Sequence, residues 1–360
     1  MDFEDSESQR LIRNTVREYL SAHYPWQRLF AVEAGNDDIT SAELRKLGRL
    51  GWLGMAGSED ASLLDVGAVV EEFGQAATPS PTVAANVCSY VLARCTGDLA
   101  GRLLAGLSDG ATVITMSDYR PRASQAPMPN AIALADGHVT GELPLVPFAK
   151  KADYALAWCD NAGSRALAAL PLASASHEPA RLLNSRHHYN VRFDNVPMEG
   201  SALLAQGDDA RDLEEQAQAL STALYLVEMA GLMRRMTAMT AEYISNRVQF
   251  GQPIAKFQKA RHRSADMWMH SETVRWAAYD ALWRFQNDQD DTMAIWLTKH
   301  AAIRAADLLF HNAHILHGGI GVGIEHPLHL YSQAILELAV RGGTMPEMIE
   351  RTGGGMGAAA

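Results

Sequence analysis

Asn246-Arg-Val-Gln-Phe-Gly-Gln-Pro-Ile-Ala-Lys-Phe-Gln258 interrupts a long helical pattern with residues suited to an anion and an aromatic ring. Arg247 supplies a permanent charge on a planar fork that can take two phosphate oxygens at once. Phe250 offers a flat apolar face for a purine. Gly251 and Pro253 are expected to stop the helix and turn the chain. Phe257 and Gln258 then add a second apolar wall and an amide that both donates and accepts. Together these groups suit the pyrophosphate and adenine of a dinucleotide.

A second segment, Leu316-His-Gly-Gly-Ile-Gly-Val-Gly-Ile-Glu-His-Pro-Leu-His-Leu-Tyr331, reads as a glycine turn whose bare backbone can approach a diphosphate. The pattern of Arg247, Phe250, Gly251, Pro253, Phe257 and Gln258 resembles the signature of the acyl-CoA dehydrogenases, and the glycine turn resembles that family's second cofactor segment. Met1-Asp-Phe with Ser6-Glu-Ser-Gln9, Leu50-Gly-Trp-Leu-Gly54 and Val70-Glu-Glu-Phe-Gly74 are similar to its N-terminal landmarks, so the likeness spans nearly the whole chain. The resemblance implies an α+β fold with an N-terminal helical domain, a middle β-domain and a C-terminal four-helix bundle. It also implies FAD, with Arg247, Phe250, Phe257 and Gln258 serving the adenosine diphosphate half of a flavin that belongs to the neighbouring subunit.

Composition fits a soluble enzyme subunit. A chain of 360 residues exceeds what one core usually holds. The net charge of −11 argues against nucleic acid or an anionic membrane as partner. No apolar run reaches the roughly 18 residues of a membrane span, and the acidic start does not read as a signal peptide, so a cytoplasmic location is expected. Cys88, Cys95 and Cys159 have no metal-ligand spacing and read as reduced thiols.

Three parts follow from pattern. Residues 1–107 are helical, with an amphipathic opening around Leu11, Ile12, Val16 and Leu20 and acid-capped segments around Glu43 and Asp65. Residues 108–205 form a β-barrel-like domain, with strands expected at Thr112–Met116, Ala131–Leu134, Tyr154–Cys159 and Asn190–Phe193. Residues 206–360 return to helices. There Leu220, Leu224, Val227 and Gly231 form one stripe and Leu226, Met229, Met233 and Met236 another, which predicts a helix buried over a broad arc, as inside a bundle. The methionines read as core packing, and residues 353–360 as a frayed tail.

The family chemistry removes the α-proton of an acyl-CoA with a glutamate while hydride leaves the β-carbon for the flavin. A carboxylate suits this work when burial raises its pKa. Relatives keep the glutamate at one of two places. The first precedes a Gly-Thr pair and is Gly342 in this chain; the second lies 26 residues before Arg247 and is Ser221. Neither can abstract the proton without a base of its own. Glu228, Glu337 and Glu347 are the substitutes by position, and each reads as an ordinary solvated acid. Glu325 reads as a hydrogen-bonded structural residue.

The contacts implied for this chain's own flavin ring are eroded as well. The family's glycine-containing loop is replaced by Thr115-Met-Ser-Asp-Tyr-Arg-Pro-Arg122, which keeps at most Thr115. A strand bearing a threonine in relatives is Leu145-Val-Pro147, and Pro147 lacks both the hydroxyl and the N–H. At the glycine turn Ile315 replaces a glutamine, while Gly318 and Gly319 remain. His314 and His317 read as hydrogen-bond donors near a phosphate rather than metal ligands, and His187 and His188 as a polar turn.

Residues that would serve a partner's cofactor are thus kept while those for the chain's own ring and base are absent. This resembles the base-lacking chain of the heteromeric α2β2 acyl-CoA dehydrogenases of bacterial steroid side-chain catabolism, whose partner is a homologous catalytic subunit. Two alternatives stay open: a self-sufficient dehydrogenase with a displaced base such as Glu228, and a base-free flavin- or CoA-binding protein or flavin monooxygenase of the same fold.

Overall fold

The helical, β-rich, helical order expected along the chain is the order observed. The computed structural model describes residues 4–117, 131–180, 182–183, 187–198, 202–289 and 292–341. Helices α1 (Glu7–His23), α2 (Trp26–Glu33), α3 (Ser41–Arg49), α4 (Leu63–Gln75), α5 (Thr82–Leu92) and α6 (Asp98–Ser108) come first. Strands β1 (Ile114–Met116), β2 (Ala133–Ala135), β3 (His138–Pro147), β4 (Tyr154–Asn161), β5 (Ser164–Pro171), β6 (Ser176–Pro179), β7 (His188–Pro197) and β8 (Leu203–Gln206) follow. The chain continues through α7 (Asp208–Asn246), the short strands β9 (Val248–Gln249) and β10 (Gln252–Pro253), and helices α8 (Gln258–Gln286), α9 (Thr292–His317) and α10 (Leu328–Val340). Among the described residues no helix is long and apolar enough to cross a membrane.

Local chemistry sets several of these boundaries. Ser6 accepts from the Gln9 N–H while the Gln9 side chain accepts from Ser6, and Thr40 and Glu43 repeat the exchange at α3. Each capping box satisfies amide groups that a helix start leaves without partners. In α1 the expected stripe is only partly inward: Val16 and Leu20 are buried, but Leu11 is exposed.

The described residues group into two compact units. One comprises Ala31–Val66 and Pro79–Ser221 and holds the sheet, in which the strands run β6-β7-β3-β2-β4-β5-β8 with β1 pairing β4. Alternate residues Ala155, Ala157 and Cys159 of β4, Ala166, Ala168 and Leu170 of β5, and Val191 and Phe193 of β7 share its core, the two-residue period of a pleated face. The strands read from sequence lie within or beside β1, β2, β4 and β7. Sequence reading missed the short β6 and β8, and also β5, whose Ala166–Leu170 core is buried on both faces and alanine-rich, and β3, which Gly141 and Pro144 interrupt.

The other unit unites Met1–Phe30, Gly67–Thr78 and the chain from Thr222 onward. At its centre is Glu71 of α4, 0 % exposed. Its carboxylate meets Arg13 of α1 at 2.7 Å, Arg234 of α7 at 2.6 Å and Arg275 of α8 at 2.8 Å, and accepts the Tyr279 hydroxyl at 2.9 Å. Burial alone would raise its pKa, but Arg13, Arg275 and Arg234 overcome that and hold it at about 2. The cluster requires α4 and α7 to touch backbone to backbone. A Cβ on Gly231 would sit 2.2 Å from the Glu71 carbonyl oxygen, and one on Gly74 would sit 2.3 Å from that of Glu228. Both expected α7 stripes, methionines included, are buried.

A carboxylate ionised in the folded state below the pH at which the unfolded chain protonates stabilises fully above its ordinary pKa of 4.5, and that stabilisation fades as pH falls toward about 2. Glu71→Gln leaves the buried guanidiniums of Arg13 and Arg275 and the half-buried one of Arg234 short of their shared counter-ion and should cost about 3–5 kcal/mol at neutral pH. Urea unfolding of both proteins from pH 7 down to 3.5 should show the gap narrowing only below about pH 4.5. A small gap that ignores pH would contradict the role given to Glu71.

Candidate functional site

Helix α7 ends at Asn246, earlier than Gly251 and Pro253 imply, because those two residues shape a hairpin rather than a helix stop. Gln249 pairs with Gln252, and the two residues between them, Phe250 and Gly251, both take left-handed backbone with φ of +53° and +78°. Two successive positive φ values are those of a type I′ hairpin turn. The Ile254 N–H donates to the Arg247 carbonyl at 2.9 Å and closes the loop. A bulky residue in this region costs roughly 1–2 kcal/mol. The strain sets the Phe250 ring 92 % exposed, edge-on to Phe257 with centroids 6.1 Å apart, beside the start of α8. Arg247 and Gln258 are exposed as well, and among the described residues Arg247 has no carboxylate within ion-pair distance.

The glycine turn comes to the same place. Gly318 follows α9 with φ of +63°, and a Cβ on Gly318 or Gly319 would meet no atom within 4 Å, so this backbone lies bare. The preceding residue, His317, stacks on Tyr243 with centroids 4.5 Å apart. Tyr243 stands one turn before the signature arginine, and its carbonyl accepts the Arg247 N–H at 2.8 Å. His326 lies 4.8 Å from His317 and 6.4 Å from Tyr243, edge-on to the latter. This three-ring cluster joins the two segments. Burial, with His326 and His314 nearby, pushes the His317 pKa down to about 4, so the ring is neutral at pH 7, its Nδ1–H donating to the Ala313 carbonyl at 2.9 Å. Tyr243 and His326 were missed from sequence, although the position of Tyr243 one turn ahead of Arg247 was a usable signal. Ile315 is exposed on the last turn of α9, and His314 packs on the Phe310 ring.

Donors on the flavin-ring side of the reading are spent internally. Thr115 is fully buried, and its hydroxyl donates to the Pro147 carbonyl at 2.8 Å. The Leu145 N–H donates to the Asn190 side chain at 3.2 Å, and Pro147 has no N–H to give. Residues 118–122 of the divergent loop lie outside the described residues.

Of the two places for a base, Ser221 is half-buried on α7, and Gly342 lies outside the described residues, as does Glu347. The residue before Gly342 carries a cation: Arg341 donates to the Glu337 carboxylate and stands 5.5 Å over the Tyr225 ring. Glu337 is therefore a buried ion-pair partner and not the solvated acid expected. Glu228 is buried too, because the middle of α7 is enclosed over most of its circumference. Glu325, expected in a hydrogen-bonded role, is exposed, and no hydrogen bond to its side chain is found among the described residues. The expected polar turn at His187 and His188 is also inside: His187 lies against Phe148, burial holding its pKa near 4, and His188 opens β7. Cys88, Cys95 and Cys159 are free thiols, and burial pushes Cys159 up to about 12.

Comparison with known proteins bears on the family and the fold. Residues 6–111 match the family model for the acyl-CoA dehydrogenase N-terminal domain, and residues 220–352 match that for the acyl-CoA dehydrogenase C-terminal domain. Acyl-CoA dehydrogenase FadE28 of Mycobacterium tuberculosis is 27 % identical over 350 residues, 94 % of each chain. The fold is similar to that in the crystal structure of the ChsE4-ChsE5 complex from Mycobacterium tuberculosis, with a TM-score of 0.85, 21 % identity and 99 % of each chain covered. It is equally similar to a Tcur3481-Tcur3483 steroid ACAD variant, with a TM-score of 0.85, 23 % identity, and 98 % of this chain and 99 % of that one covered. With two domain models of one family together matching about two thirds of its length, and the fold shared end to end, the chain belongs to the acyl-CoA dehydrogenase family.

Proposed function

We propose that this chain is the base-lacking subunit of a cytoplasmic, heteromeric, FAD-dependent acyl-CoA dehydrogenase, and that it completes the cofactor site of a homologous catalytic partner in an α2β2 assembly. One observation carries the reading. Arg247, Phe250, Gln258 and the bare Gly318–Gly319 backbone converge on one unit with their ligand-binding groups exposed, whereas the Thr115 hydroxyl and the Leu145 N–H are already bonded within this chain. The first set fits the adenosine diphosphate half of FAD. Arg247 would hold the diphosphate by charge and fork, Phe250 and Phe257 would flank the adenine, and Gly318 and Gly319 would let main chain approach the phosphates. The second set does not fit this chain's own flavin ring. When bound, FAD supplies a hydride acceptor for the β-carbon of an acyl-CoA. The partner's glutamate takes the α-proton, since Ser221 and Gly342 cannot. Similarity in fold to a steroid ACAD supports a steroid-derived acyl-CoA as substrate.

A second reading takes Glu228 as a displaced base, because it lies buried on the same helix as Ser221. Anaerobic mixing of the flavin-loaded isolated chain with acyl-CoA separates the two. The leading reading expects bleaching at least ~10²-fold slower than in the assembled pair. Full-rate bleaching that Glu228→Gln abolishes would establish the second instead.

Arg247→Ala in the assembled pair should weaken FAD retention by about 1–3 kcal/mol, and Arg247→Lys should restore part of it, the charge returning without the fork. Phe250→Gly separates function from stability. It relieves the left-handed strain, so the melting temperature should hold or rise, by no more than ~1 kcal/mol in equivalent stability, while FAD retention falls. Unchanged flavin content after dialysis of either variant would count against these contacts.

A further inference from the structure

Imidazoles fill the junction between the hairpin and the glycine turn, and no carboxylate stands there to balance a charge on them. His317 is 3 % exposed. Its Nδ1–H donates to the Ala313 carbonyl, its face lies on the Tyr243 ring at an interplanar angle of 20°, and His326 stands against it at 58°. Gly321 of the turn packs on the same residue, since a Cβ there would come 2.8 Å from the His317 Cβ. The other ring nitrogen, Nε2, is shut off from solvent and has no hydrogen-bond partner among the described residues. With the proton on Nδ1, Nε2 is a bare lone pair and the atom at which a second proton adds. That proton would face His314 from α9, His326 from the segment before α10 and the Tyr243 ring from α7, and both imidazoles oppose it. A buried cation with neither counter-charge nor acceptor is costly, so protonation favours any arrangement that brings the ring to water.

We propose that this cluster is an acid-sensitive latch: a proton on His317 parts the hairpin from the glycine turn and frees the adenosine diphosphate end of the cofactor, while the rest of the helical unit stays folded. The latch rests on the reading of these two segments as a cofactor seat and gives that seat a means of release. In the closed form His317 resists protonation until about pH 4, whereas in water it takes up a proton near 6.5. Opening is therefore favoured by up to about tenfold for each pH unit below 6.5, or roughly 30-fold by pH 5. Glu71 keeps its charge over that range, so α1, α4, α7 and α8 remain joined.

Hydrogen exchange read by mass spectrometry on the wild-type chain, corrected for the intrinsic effect of pH, tests the switch without any flavin. Protection of residues 241–258 and 314–331 should fall at least ~10-fold from pH 7 to 5, while that of α4 and the middle of α8 holds. His317→Phe keeps a ring on Tyr243 and cannot titrate, so it should remove most of that fall. His317→Asn, also without a titrating ring, replaces it if the phenylalanine variant does not fold. In the flavin-loaded assembly, FAD release followed by fluorescence should quicken ~10-fold over the same interval in wild type and less than ~3-fold in the variant. Equal loss of protection in wild type and variant, or no loss in wild type, would overturn the latch. So would tighter FAD retention at pH 5, which would make the protonated His317 a clamp on the diphosphate. Exchange that responds while FAD release ignores pH would overturn the release step and point to a cofactor held elsewhere, so failure of the switch and failure of the cofactor reading stay distinguishable.

Discussion

One buried carboxylate organises the unit that carries the candidate site. Glu71 can hold three guanidiniums only if α1, α7 and α8 approach α4 closely, and Gly74 and Gly231 permit that approach by letting α4 and α7 meet without side chains between them. The arrangement fixes α7 at Arg234 and α8 at Arg275. The Arg247–Phe257 segment is the connection between those two helices, so it is strung between stems pinned roughly four or five turns away on either side. A hairpin that must hold a phenylalanine in left-handed backbone needs such stems, because local contacts alone do not repay the strain.

The two ends of the cofactor reading differ in how their polar groups are used. Hairpin and glycine turn leave a guanidinium, a ring, an amide and bare backbone uncommitted, at a cost in strain and exposed apolar surface. Around β3 and β1 the corresponding donors are absorbed into the sheet unit, which favours the fold over the ligand. Arg341 points the same way: its guanidinium, paired with Glu337, stands next to Gly342, the position at which the resemblance implies a base. The ring cluster of Tyr243, His317 and His326 ties hairpin to glycine turn and depends on neutral imidazole. The unfolded chain takes up a proton on His317 near pH 6.5 while the folded chain resists until about 4, so this contribution is lost as pH falls through that window. Glu71 gives way only at lower pH.

Much of the fold was legible because it rests on local signals. Capping boxes at Ser6 and Thr40, the two stripes of α7 and the turn residues of the β-rich segment state their geometry within a few residues. The signature around Arg247 was legible for a different reason: Arg247, Phe250 and Gln258 are exposed rather than packed, so the fold does not alter the chemistry they offer. What escaped depends on distant partners. Nothing near Glu337 or Glu228 announces burial; the one is enclosed by Arg341 and the other by a helix surrounded on most sides. Strand β5 was missed because a strand buried on both faces can be built from alanine and leucine, which carry no strand signature. Tyr243 and His326 acquire a role only when α7 and α9 end at the same point.

The central claim is that this chain completes a flavin site it does not itself own. Measuring FAD released from the purified assembly against protein, with chain ratio and native mass determined on the same sample, tests it without knowledge of the substrate. The account predicts a four-chain complex of two kinds of subunit that holds about half as many flavins as chains. A stable assembly of this chain alone with one flavin per chain, or a mixed tetramer with all its sites filled, would contradict it.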